Sequence, residues 1–213
     1  MKIEIWSDIM CPFCYMGKKQ LELALENYSG GNNVEIIWKS FELNPNISHR
    51  PNLNLQEYLS ETKGLDPESV KHMYRKLELQ GKELGIDFKF EKAQVSNSKK
   101  AHMLIHIAQN QNKGNEVKER LFYSYFTVGE NVEDESVLLN IAAYCNIDLS
   151  EYTNPFQDNS LEYEVNLDQY QAQQVGARGV PFFVFNEAYS LSGAHGKETL
   201  LNILETVKIK SGE

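Results

Sequence analysis

Apolar and polar residues alternate almost from the first position. Ile3, Ile5 and Ser7 fall on one side and Lys2, Glu4 and Trp6 on the other, the period of a short strand. A period nearer 3.6 follows, with Cys14, Leu21, Leu25 and Tyr28 on one helical face and Gly30-Gly31 as the stop. Residues 34–41, with Ile36, Ile37 and Trp38, read as a second strand. Strand, helix and strand make one βαβ unit, in which the two strands run parallel with a right-handed crossover.

From Leu55 to Asn146 strand signals fade and helix signals accumulate. Asp66-Pro67 is an N-cap followed by Pro at the first helical position, and Val70, Met73, Tyr74, Leu77 and Leu84 supply the apolar face before Gly85. Asn97 is placed to cap a helix through Ala101, Leu104, Ile105 and Ala108, ending near Gly114. Val117, Leu121 and Phe126 mark another helix, and Asp134 caps one through Val137, Leu138, Ile141 and Ala142. No fixed period recurs, so this block is not a repeat array. A polar helix is expected over 160–175. Strand character then returns at 181–185, Asn186-Glu187 turns the chain, and 189–192 pairs back as a hairpin. Leu200, Leu201, Ile203, Leu204 and Val207 belong to a last amphipathic helix. Strands at both ends and helices between them predict an α/β domain interrupted by a helical insertion, because neither end alone completes a sheet. The expected boundaries are 1–45 with 160–213 for the discontinuous domain and 46–159 for the insertion.

Composition narrows the function. With 41% hydrophobic residues the chain buries enough surface to fold without disulfide staples, and three cysteines are too few for a disulfide scaffold. The net charge of −9 and the absence of a long Lys/Arg run argue against nucleic acid and anionic membranes as partners. The N-terminus lacks the apolar region and small-residue cleavage site of a secretory signal, and no apolar stretch reaches the ~20 residues that span a bilayer. A cytoplasmic location is expected. Disulfides there are transient and catalytic more often than structural.

Cys11-Pro12-Phe13-Cys14 lies where the first strand gives way to a helix. Pro12 suits the first helical turn, which puts Cys11 at the N-cap beside unpaired backbone N–H groups and the positive end of the helix dipole. A thiolate is stabilised there, so the Cys11 pKa is expected below the ~8.5 of a free thiol. Cys14, one turn on, is within bonding reach. Cys11 is therefore the expected nucleophile and Cys14 the resolving thiol, with Pro12 and Phe13 tuning the redox poise. Neither of those two carries charge, so a milder potential is expected than with His before the second cysteine.

Zinc is the competing use of Cys-x-x-Cys, but it needs a second ligand pair. Only Cys145 remains, and His49, His72, His102, His106 and His195 are scattered. His102 and His106 have ligand spacing without an acidic partner motif, so no metal is expected. Cys145 ends an apolar helix and is assigned to packing. Pro181, directly before a strand, is either an edge residue or part of a cis peptide.

Three segments together resemble the DsbA-like thioredoxin family: 7–17 (SDIMCPFCYMG), 41–45 (FELNP), and 179–185 (GVPFFVF) with Ser192-Gly193-Ala194. Within it the chain is most similar to the FrnE-like branch, related to 2-hydroxychromene-2-carboxylate isomerases and kappa-class glutathione transferases. The resemblance spans essentially the whole chain. It implies a thioredoxin fold with a helical domain inserted after the second strand, a cis Pro181 facing the cysteines, and substrate backbone pairing at Val180. It implies dithiol–disulfide exchange with disulfide- or thiol-containing proteins or small molecules, no tightly bound cofactor, and glutathione or another thiol as possible co-substrate. The isomerase and transferase branch typically has Ser at the first active position, whereas Cys11 stands here. A glutathione-dependent isomerase or transferase, with Tyr15, Phe13, Phe182 and His195 lining an interdomain groove, is the alternative. A non-catalytic redox-sensing or chaperone-like protein is the third. Both monomer and dimer stay open.

Overall fold

The computed structural model describes residues 1–30, 33–50 and 53–211. The chain divides into two compact units, Met1–Leu43 with Tyr163–Glu213, and Asn44–Glu162.

The first unit is built on a four-stranded mixed sheet of order β2-β1-β3-β4, with β1 (Lys2–Ser7), β2 (Glu35–Ser40), β3 (Phe182–Phe185) and β4 (Tyr189–Ser192). β1 pairs parallel with β2 and antiparallel with β3. The parallel pair needs a crossover, which α1 (Pro12–Glu26) supplies. Asn27 caps α1, earlier than the expected Gly30-Gly31 stop, of which Gly31 lies outside the described residues. β3 and β4 form the expected hairpin, with Asn186 and Glu187 at φ of 46° and 56°. Two positive φ values in a two-residue loop give the twist that matches paired strands.

The register sorts the core. Ile3 faces Phe185 and Ile5 faces Phe183, while Trp6 faces Phe182 on the opposite side. Helix α1 covers the Phe183 side and packs against α8 (Lys197–Ser211), which buries Leu200, Leu204 and Val207. On the other side Trp6, Phe182 and Val184 pack with Ala172 of α7 (Asn159–Gln174) and with Ala177. Trp6, on the same side of the strand as Lys2 and Glu4, is thus buried, because helices cover both faces of β1. The polar composition of α7 is explained by its bonds. Asp168 accepts from the Ser40 N–H and from Lys39 Nζ, and Gln169 accepts from the Glu42 N–H, so the helix is pinned to β2 and the residues after it.

The second unit holds α2 (Leu55–Lys63), α3 (Pro67–Glu83), α4 (Lys99–Asn110), α5 (Gly114–Tyr123) and α6 (Glu135–Tyr144). Asp66 and Asp134 cap α3 and α6 as their spacing predicts. Ser98, not Asn97, occupies the cap position of α4, but Asn97 Oδ1 accepts from the Lys99 N–H. That helix stops at Asn110, with Asn112 in the left-handed region, and Gly114 opens α5 instead of ending α4. Helix α2 has no strong apolar periodicity. Its signal is the reciprocal cap between Asn54 and Glu57. Phe88, Phe90, Phe122, Tyr125 and Phe126 form an aromatic core for this unit.

Candidate active site

A turn delivers the first cysteine. Strand β1 ends at Ser7, and the Cys11 N–H donates to the Asp8 carbonyl at 3.2 Å, closing the turn Asp8-Ile9-Met10-Cys11. The Asp8 side chain accepts the Met10 N–H at 3.2 Å and, across the unit, the Leu43 N–H at 2.8 Å. Cys11 then takes the N-cap of α1 in extended conformation with Pro12 next, as the motif predicts. Its carbonyl accepts from the N–H groups of Cys14 (3.0 Å) and Tyr15 (3.4 Å).

Both cysteines are free thiols, 5% and 1% exposed, and their side chains are hydrogen-bonded to each other. The Cys11 thiol also lies 3.6 Å from the Val180 carbonyl oxygen, which can accept from it. The Val180–Pro181 peptide is cis. Pro181 is buried, and its carbonyl accepts the Gly193 N–H at 2.8 Å. Pro12 is half-buried, and Phe13 is 43% exposed beside the thiols in sequence, an apolar face open to a partner.

The electrostatics differ from the sequence expectation. The Cys11 pKa is raised well above the ordinary thiol value, not lowered. The bond to the Cys14 side chain contributes most, burial next, and the charges of Cys14 and Asp8 act in the same direction. The Cys14 backbone N–H, the helix-terminus effect that the motif predicts, pulls the other way and is outweighed. A motif reading sees the helix end but neither the burial nor the carboxylate.

Gly17 explains how α1 approaches the Pro181 loop. A Cβ there would stand 3.0 Å from Pro181 Cγ and 3.3 Å from Phe183 Cζ. Gly17→Val is expected to destabilise the protein by about 1–3 kcal/mol through overpacking. Urea unfolding checks this, and a stability equal to wild type would contradict the close contact.

The model of the DSBA-like thioredoxin domain matches residues 2–205. The chain belongs to the DSBA-like thioredoxin family. This family of thiol oxidoreductases includes relatives of differing closeness. YwbO of Bacillus subtilis, itself uncharacterized, is 27% identical over 202 residues, covering 92% of each chain. A crystal structure described as a probable DsbA oxidoreductase from Streptomyces coelicolor superposes with a TM-score of 0.89 at 29% identity, covering 97% of this chain and 89% of that one. The cytosolic disulfide reductase DsbM of Pseudomonas aeruginosa shares the fold, with a TM-score of 0.67 at 13% identity and coverage of 97% and 98%. A 2-hydroxychromene-2-carboxylate isomerase shares it with a TM-score of 0.67 at 14% identity, covering 99% of this chain and 96% of that one.

The DsbA-like site thus gathers Cys11, Cys14 and Val180, with Pro181 next in the chain and against Gly17. The other suggested lining residues divide. Tyr15 is buried with Lys19 Nζ over its ring, and Phe182 packs edge-on against Trp6 on the far side of the sheet. His195 is exposed, with Nε2 2.8 Å from the Ser192 carbonyl. Cys145 is fully buried, and burial pushes its thiol pKa up. Asp8 is the residue that motif reading passed over. Its signal is an acid at the strand end, three positions before Cys11. Among the described residues no three His, Cys, Asp or Glu side chains converge as a metal site, and no helix is long and apolar enough to cross a membrane.

Proposed function

We propose that the protein is a dithiol–disulfide oxidoreductase in which Cys11 is the nucleophile and Cys14 the resolving thiol. The observation that carries this reading is the pair of free, mutually hydrogen-bonded thiols at the start of α1, one of them 3.6 Å from the Val180 carbonyl. Cys11 loses its proton and attacks one sulfur of a partner disulfide. The Cys11–partner S–S bond forms, the partner S–S bond breaks, and the leaving thiolate takes up a proton. Cys14 then attacks Cys11 Sγ, the mixed disulfide breaks, and the second partner thiol departs. Two electrons have passed to the partner, and a Cys11–Cys14 disulfide remains for a thiol such as glutathione to reduce.

Val180 offers main chain to an extended partner segment, in the manner of a strand added at an edge, and Phe13 offers apolar contact. Such contacts suit proteins or small molecules that carry disulfides or thiols. A raised Cys11 pKa suits a reductase or isomerase more than a strong oxidant, since a strong oxidant owes its potential to a stabilised thiolate.

The test is trapping. Cys14→Ser removes the resolving step, so mixed disulfides on Cys11 are expected to accumulate and to be released by dithiothreitol. Mass spectrometry of non-reducing gel bands identifies them. Absence of any covalent adduct from an oxidised peptide substrate would overturn the reading. Turnover of a glutathione-dependent isomerisation that survives Cys14→Ser would favour the alternative.

A further inference from the structure

Asp8 is fully buried, yet it has no part in the exchange chemistry described above. Burying a carboxylate is costly unless it accepts hydrogen bonds, so its surroundings show what it holds. One oxygen accepts the Met10 N–H inside the Cys11 turn, at 3.2 Å. The other accepts the Leu43 N–H at 2.8 Å, across 35 residues of chain. The Asp8 carbonyl accepts the N–H of Cys11 itself. One residue therefore closes the turn in front of the nucleophile and fastens that turn to the segment that follows β2. A neutral Asn or Ser could make such a turn by the same i to i+2 bond. The charge is what those residues would lack.

We propose that Asp8 is a positioning residue for Cys11, tying the nucleophile's turn to Leu43 and holding a carboxylate in that turn that works against a negative charge on Cys11 Sγ. The consequence for exchange rests on the proposed function, but the effect on the thiol does not. Cys14 on α1 and Asp8 on the turn both oppose a charge on Cys11. With the thiolate opposed, the reduced form gains less from ionisation, and the disulfide of Cys11 and Cys14 is the weaker oxidant. Asp8 thus biases the pair toward giving electrons.

The experiment compares Cys14→Ser with Asp8→Asn/Cys14→Ser, which leaves Asp8 as the variable acting on Cys11. Iodoacetamide labelling of Cys11 is followed against pH, with peptide mass spectrometry separating it from Cys145. Asp8→Asn is expected to lower the Cys11 midpoint by about one unit, a tenfold gain in thiolate at any pH below both midpoints. In the Cys14-containing background, equilibrium with glutathione should move toward the dithiol. An unchanged midpoint in a folded Asp8→Asn protein would overturn the proposal and leave Asp8 a turn residue only. A second measurement needs no variant. In reduced wild-type protein carrying 13C-labelled aspartate, the Asp8 carboxyl resonance is expected to shift with the same midpoint as Cys11. A resonance blind to that titration would also overturn the proposal. Neither labelling nor NMR depends on disulfide turnover, so a failed trapping experiment would count against the exchange reading alone.

Discussion

Cys11→Ser is expected to reduce insulin-disulfide reduction by on the order of 10³-fold or more, because the proposed covalent nucleophile is removed outright. Serine is close in shape to cysteine, and its hydroxyl can donate to the Val180 carbonyl that now faces the thiol. It can also occupy the N-cap of α1, a position that serine favours. The loss is therefore chemical and not a failure to fold. Circular dichroism and urea unfolding should match wild type while turbidity from precipitated insulin chains fails to develop. Retention of more than about a tenth of the wild-type rate would show that another group attacks the disulfide.

The largest expected effect on stability lies away from the cysteines. Asp168→Ala should destabilise the protein by about 3 kcal/mol, the range for breaking a buried, hydrogen-bonded ion pair by removing one partner. The Asp168 side chain is 2% exposed, with Oδ1 2.9 Å from Lys39 Nζ and Oδ2 2.8 Å from the Ser40 N–H. Truncation leaves an edge-strand N–H buried without its acceptor, and Lys39 keeps only Gln171 at 2.9 Å and Glu4 at 4.0 Å. The bond from Trp6 Nε1 to the Asp168 carbonyl survives, because it uses main chain. Asp168→Asn should lose less, since an amide oxygen still accepts from Ser40. Urea denaturation of both variants checks the order. A loss below about 1 kcal/mol for alanine would mean that the pair behaves like a surface one.

The contrast between these residues shows what was legible in advance. Cys11 and Cys14 announce themselves because their relation is local: a strand end, a proline at the first helical position and one turn of helix. The caps at Asp66 and Asp134 and the turn at Asn186-Glu187 are local in the same sense. Alternation puts Trp6 on the face of Lys2 and Glu4 but does not show that α7 covers that face and buries it. Helix α2 carries its sequence signal in a reciprocal cap and not in an apolar stripe. Asp168 looked like one more polar residue of a polar helix, since its partners Lys39 and Ser40 lie far back in the chain.

The sequence by itself determined the α/β class with its helical insertion, the strand-to-helix junction and the two thiols set upon it, because each follows from residues within a few positions of one another. Tertiary structure alone decided that Val180 faces Cys11, that Gly17 must leave room for Pro181, and that the Cys11 thiol is harder to ionise than its helix end suggests. Burial and a fixed charge depend on what the folded chain brings alongside, and no spacing within a motif carries that information.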